Sequence, residues 1–179
     1  MITKDVFSFL KQLKQNNNRE WFHDHKTAFK TIEMGVKQFY AQVFEQLNTV
    51  DSIDAFKLFR IYRDVRFSKN KLPYKTHFGG SFHRTKPELR GGYYLHIAPQ
   101  NESFIATGFW DPNKEDLFRI RKEFEIDSDE IRELMTQPEF QSVWGALQGD
   151  ALKSAPRGFD KNDPNIDLIR RKQFIFTKK

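Results

Sequence analysis

The chain has 179 residues, 38% of them hydrophobic and 30% charged, with 19 Phe, no Cys and a formal net charge of +6. A chain of this size suits one folded domain that buries roughly 70% of its unfolded surface, and the composition excludes a disordered tail. Without cysteine there is no disulfide framework, thiolate zinc site, iron–sulfur cluster or cysteine nucleophile, and no apolar run approaches the ~20 residues of a membrane span. The Met-Ile-Thr-Lys-Asp start lacks the apolar stretch of a secretory signal, so the cytoplasm is the expected location and no membrane contact is expected.

Thr3 is placed to cap a first helix carrying Val6, Phe7, Phe9, Leu10 and Leu13 at helical spacing, which runs to about Gln15. Asn16, Asn17 and Asn18 end it, because short amides bond their own backbone, and Asn18 is suited to cap the next helix. That helix, from about Glu20 to Leu47, shows an aromatic-rich stripe from Trp21 to Phe44 and is the longest element expected. Gly35 within it marks a bend or a close packing contact rather than an end. From Phe56 the period changes to two, predicting a strand with Phe59, Ile61, Val65 and Phe67 on one face and Arg60, Tyr62, Asp64 and Arg66 on the other. Arg63 falls on the apolar side, so either a carboxylate pairs with it or a bulge turns it outward.

Ser68 to Pro73 reads as a turn, and Tyr74 to His83 as the returning strand. Tyr93 to Ala98 and Phe104 to Phe109 give two further strands joined by a hairpin at Pro99 to Glu102, and short links imply antiparallel pairing. Asp111-Pro112 can open a helix through Phe124, Ser128 can cap a short one, and Pro138 suits the first turn of another ending near Trp144. The chain from Gly149 is loop-rich, and Leu168 to Phe176 fits a helix or a strand equally. With no repeat or low-complexity linker, the expectation is a single α+β domain over residues 1–179: an antiparallel sheet packed by the long N-terminal helix, with further short helices in the C-terminal half.

Several motifs together resemble domain-of-unknown-function family 2461. They are Asn16-Asn17 ahead of Glu20-Trp21-Phe22; the run Arg60-Ile61-x-Arg63-Asp64-x-Arg66-Phe67-Ser68-x-x-Lys71-x-Pro73-Tyr74-Lys75; Tyr93-Tyr94-Leu95-x-Ile97-x-Pro99; and Pro156-x-Gly158-Phe159-Asp160 ahead of Asp167-Leu168-Ile169. The resemblance implies a single alpha-plus-beta domain and assigns no activity or catalytic residue. Members usually extend further at the C-terminus, so it also implies that this chain lacks a terminal helical segment.

The charge is concentrated: Arg60 to Arg90 holds nine Lys or Arg against two acids, a net of +7, which leaves −1 for the remainder. Within it Arg60, Arg63, Asp64, Arg66, Lys71, Tyr74 and Lys75 form the expected ligand-binding set, since forked guanidinium groups take two oxygens of a phosphate or carboxylate. The competing structural reading is that Asp64 neutralises Arg60 and Arg66 in a salt-bridge ladder. An anionic small molecule is the first partner to expect, and nucleic acid the alternative, since clustered cations interleaved with aromatics track a phosphate backbone. A second alternative is an enzyme on a small phosphorylated or carboxylated substrate, with Asp64 as base and Tyr74 or His77 as acid. A carboxylate beside arginines makes a poor base, however, and no catalytic residue is assigned. No cofactor fingerprint is present, and no metal site is expected: His23 and His25 diverge on a helix, and His77, His83 and His96 read as ordinary polar-face residues. Lys153, Arg157 and Lys161 read as a solvated loop.

Overall fold

A computed structural model describes residues Met1–Lys179. The chain is an α+β protein whose strands β1 (Ile53–Leu58), β2 (Phe78–Arg84), β3 (Gly92–Ile97), β4 (Phe104–Phe109) and β5 (Phe174–Lys178) form one antiparallel sheet in chain order. Helices α1 (Lys4–Gln15), α2 (Arg19–Asp24) and α3 (Lys26–Leu47) precede it, and α4 (Lys114–Ile126), α5 (Asp129–Thr136), α6 (Pro138–Trp144) and α7 (Ile166–Ile169) lie between β4 and β5. No helix is long and apolar enough to cross a membrane. By backbone proximity the residues group into two compact units, Met1–Ile105 with Lys179, and Ala106–Lys178.

In the first unit α3 lies against β1 and β2. Pairing of Phe82 with Phe56 and Tyr93, and of Gly80 with Leu58 and Leu95, sends these side chains to the helix-covered face, where Phe29, Val36 and Tyr40 meet them. Tyr40 lies parallel to Phe82 at 5.6 Å and donates its hydroxyl to the Leu95 carbonyl at 2.7 Å, crossing the sheet at Gly80 because no side chain stands in the way. The β3–β4 hairpin turns through Gln100 and Asn101, both at positive φ, the geometry whose twist matches that of antiparallel strands. In the second unit Leu147, Leu168 and Phe176 form a smaller core under Phe124, Phe140 and Trp144.

Three expectations are corrected. The single long helix from Glu20 is two, broken at His25, whose Nδ1–H donates to the Trp21 carbonyl at 2.8 Å while its ring stacks on Trp21 at 3.9 Å. The strand placed at Phe56 to Phe67 begins at Ile53 and ends at Leu58; beyond it Ile61 is buried, but Phe59 and Phe67 are exposed. Its partner begins at Phe78 rather than Tyr74, and the intervening segments meet only in the isolated bridge Tyr62 to Tyr74. That bridge is flanked by Arg63 N–H to Pro73 (2.9 Å) and Lys75 N–H to Ile61 (2.8 Å). Arg63 therefore needs neither a carboxylate nor a bulge.

Among the caps, Asn18 accepts from the Trp21 N–H at 2.9 Å as expected. Thr3 makes no side-chain cap bond, and Ser128 donates to Asn165 at 2.6 Å instead. The helix after Trp110 is capped by Asn113 rather than opened at Asp111-Pro112. Leu168 to Phe176, which fitted either helix or strand, contains the end of α7 and the start of β5.

The two central glycines separate cleanly. A Cβ on Gly80 would lie 2.5 Å from the Tyr40 ring and 2.8 Å from the Lys57 carbonyl, whereas one on Gly35 would meet nothing within 4 Å. Gly35 thus marks no close packing contact. Urea denaturation should show Gly80→Ala destabilised by about 1–3 kcal/mol through overpacking. Gly35→Ala should be stabilised by up to ~1 kcal/mol through helix propensity.

Candidate functional site

The connection between α1 and α2 builds the first arm of the site. Asn16 closes α1, Asn18 caps α2, and Asn17 between them reaches across the chain: its amide donates to the Tyr74 carbonyl at 3.0 Å and its oxygen accepts from the Tyr74 N–H at 3.1 Å. Phe22 of α2 stacks on the buried Tyr74 ring at 4.0 Å and 17°, and burial pushes the Tyr74 phenol up. These contacts dock α2 against residues 60–75.

Two adjoining cavities, of about 630 and 350 Å³, open between the arms and share Arg19, Val65 and Pro73 in their walls. Arg19, Lys69 and Lys71 line the larger, and Arg19, Lys26 and Arg63 the smaller; no Asp or Glu lines either. Asn18 and Asn70 contribute amides, while Phe22, Tyr62 and Tyr74 form the apolar wall.

The seven residues expected to act together are divided. Arg63, Lys71 and Tyr74 line this groove. Lys71 Nζ donates to the Val65 carbonyl at 3.0 Å, which folds the loop back on itself, and the Arg63 guanidinium rests 3.5 Å from the Ser68 hydroxyl. Asp64 and Arg66 form an exposed forked pair, with Nη2 to Oδ2 at 2.6 Å and Nε to Oδ1 at 3.0 Å. The Arg66 guanidinium holds the Asp64 carboxyl below its ordinary range, with Arg60 adding a smaller pull.

Arg60 and Lys75 stand apart from the groove. Lys75 Nζ lies 5.6 Å from the centre of the Phe59 ring, and burial together with the Arg60 charge pulls its amine down. Sequence reasoning missed Asn17, Asn18, Arg19, His23, Lys26, Lys69 and Asn70 as site residues. The Asn16-Asn17 and Glu20-Trp21-Phe22 motif pointed at that segment, but nothing local signals that it meets residues 63–73. His77 and His96 face each other with ring centres 4.1 Å apart, and burial, His96 and Lys75 together bring His77 down to about 4. No group of three or more His, Cys, Asp or Glu is placed to hold a metal ion.

Residues 5–179 match a family described as Conserved hypothetical protein (DUF2461). The chain belongs to the DUF2461 family. No curated protein and no solved structure matches it. The family match takes in both arms of the groove, α2 and the 63–73 loop.

Removing the Asn17 amide leaves two partly buried backbone groups of Tyr74 without partners. Asn17→Ala should cost about 1–3 kcal/mol in chemical denaturation. Asp64→Ala and Arg66→Ala should leave the unfolding midpoint unchanged, since both groups are solvated. For His77 the folded chain refuses a proton that the unfolded chain accepts from its ordinary 6.5 downward. Its contribution is therefore complete above pH 6.5 and is lost as pH falls toward 4. Allowing for partial solvent screening, that loss should be about 1–2 kcal/mol by denaturant titration across this window, and His77→Gln should flatten it.

Proposed function

We propose that this DUF2461 chain is a cytoplasmic protein that binds a phosphate- or carboxylate-bearing ligand in the groove between α2 and the 63–73 loop. The supporting observation is that five cations, Arg19, Lys26, Arg63, Lys69 and Lys71, line adjoining cavities whose walls hold no carboxylate. Like charges gathered without a counter-charge repel one another, and an anion entering the groove relieves that cost. The guanidinium forks of Arg19 and Arg63 suit paired oxygens, while Lys69 and Lys71 act as point charges on flexible stems. Asn70 uses its oxygen on the Leu72 N–H at 3.0 Å, which leaves its amide N–H groups to donate.

One observation favours a nucleotide or single-stranded nucleic acid among such ligands. Phe67 is 97% exposed on the same loop, between Arg66 and Lys69, where a base can stack on it while phosphates occupy the groove. For an enzyme on a small phosphorylated or carboxylated substrate, His23 is the one imidazole in the groove wall.

Thermal unfolding at low salt with sulfate, phosphate, dicarboxylates, nucleotides and short oligonucleotides tests the reading, since a ligand at 100 times its dissociation constant adds ~2.7 kcal/mol to the folded state. At least one small anion should raise the midpoint, and Arg63→Ala and Lys71→Ala should each weaken binding by about tenfold while keeping a native circular dichroism spectrum. A shift confined to oligonucleotides and abolished by moderate salt selects the nucleic-acid reading. No shift with any anion, or shifts untouched by both substitutions, sinks the proposal.

A further inference from the structure

Lys75, left out of the groove, belongs to a second cluster on the face of the sheet that α3 does not cover, and the Arg60 backbone runs beside it, since the neighbouring Ile61 carbonyl accepts from the Lys75 N–H at 2.8 Å. Alternation and register settle which residues share that face. Phe78, Gly80 and Phe82 of β2 point to the helix, so Gly79 points away, and its partner His96 stands beside it with Tyr94 two residues before. The Tyr94 ring lies across Gly79, where a Cβ would collide with its hydroxyl. From that position the Tyr94 hydroxyl bonds His96 Nδ1 at 2.9 Å. His96 is then packed between Phe104, stacked at 4.6 Å, and His77 at 4.1 Å. Phe59 stacks on Tyr94 at 6.4 Å and carries the Lys75 amine over its ring.

The cluster is rich in donors and poor in acceptors. Neither Arg60 nor Lys75 makes a side-chain hydrogen bond or an ion pair. The carboxylate that Arg60 influences, Asp64, is engaged with Arg66. The His77 ring is half-buried with no hydrogen-bond partner for either nitrogen, and Nε2 of His96 likewise has none. In the tautomer whose Nδ1 accepts from Tyr94, Nε2 carries a hydrogen and donates outward. Two cations and two partly sheltered imidazoles together present donors that suit an anion.

We propose that this face is a second anion site, in which Arg60 and Lys75 hold a tetrahedral oxyanion such as sulfate or phosphate and the His77–His96 pair takes up a proton as the anion binds. The charged and titratable groups facing the pair are Lys75, with Arg60 behind it, on the segment before β2; Tyr94 on β3; and Glu102 on the β3–β4 turn, which favours the charged form of His96. Burial, the neighbouring imidazole and Lys75 all oppose a cation on His77. A bound dianion reverses the sign of that local field, so the protonated imidazole becomes a hydrogen-bond donor to it. Proton uptake and anion uptake are then linked, and each strengthens the other.

Sulfate is the probe of choice because its charge does not change between about pH 5 and 8. Binding is measured by calorimetry in the Arg63→Ala/Lys71→Ala double variant, so that the groove is crippled and the two sites are read separately. The expected result is sulfate binding that tightens by up to about tenfold per pH unit below neutrality, the limit for one linked proton. In histidine ring NMR spectra the His77 midpoint should move upward when sulfate is added. Arg60→Ala, at an exposed position, and Lys75→Met should abolish this binding, whereas His77→Gln should retain binding but lose its pH dependence. Absence of sulfate binding in the double variant, binding of constant affinity across the pH range, or a His77 midpoint that sulfate does not move each overturns the proposal. None of these outcomes bears on anion binding in the groove of the unsubstituted protein.

Discussion

Two hydrogen bonds between the Asn17 side chain and the backbone of Tyr74 fasten together segments that are 57 residues apart in the chain. An asparagine amide presents a donor and an acceptor side by side, so it can pair with one residue's N–H and C=O as a neighbouring strand would. Here it does so along the edge of the Tyr74 segment that Tyr62 leaves open, and it substitutes a side chain for a missing strand. The Phe22–Tyr74 stack then fills the space beneath. The position of α2, the width of the groove and the approach of Arg19 to Arg63 and Lys71 all follow from this junction.

The large elements were legible in the sequence because each is specified locally. The apolar stripe of α1, the period-two runs of β3 and β4, and Pro138 at the head of α6 fix their own structure, and the elements found match them. Residues 59–77 were not legible. Their alternation of apolar and charged residues imitates a strand, but only Ile61 and Tyr74 are buried there, and Phe59 and Phe67 are turned outward. Alternation predicts a strand only when a partner supplies the ladder, and here the partner pairs only at the isolated bridge of Tyr62 with Tyr74. The break at His25 was hidden for a related reason: a histidine bonding back to the Trp21 carbonyl leaves the hydrophobic period intact while resetting the helix.

The basic set was found as a set but was divided in space. Placing Arg60, Arg63 and Arg66 on a common strand gave them a common neighbourhood, and the irregular backbone sends each to a different one. Arg66 meets Asp64, Arg63 lines the groove and Arg60 approaches Lys75. The other arm, Asn17 to Lys26, enters the site only through tertiary contact, which no spacing along the chain encodes. A cluster of like charges in sequence marks a region under electrostatic strain, but it does not say how many separate surfaces share the strain.

The identity of sheet order and chain order has a consequence for how the protein is made. Strands β1 to β4 each pair with the strand just before or after them in sequence, so three ladders close over short separations and can form as the chain emerges during synthesis. Only β5 must wait for the four helices that follow β4. Until it arrives, β4 presents an unpaired edge, the feature most prone to mispairing between chains. Gly108 stands on that edge where the Phe174 backbone will approach too closely for any side chain, so the last strand has a seat shaped for it before it is synthesised.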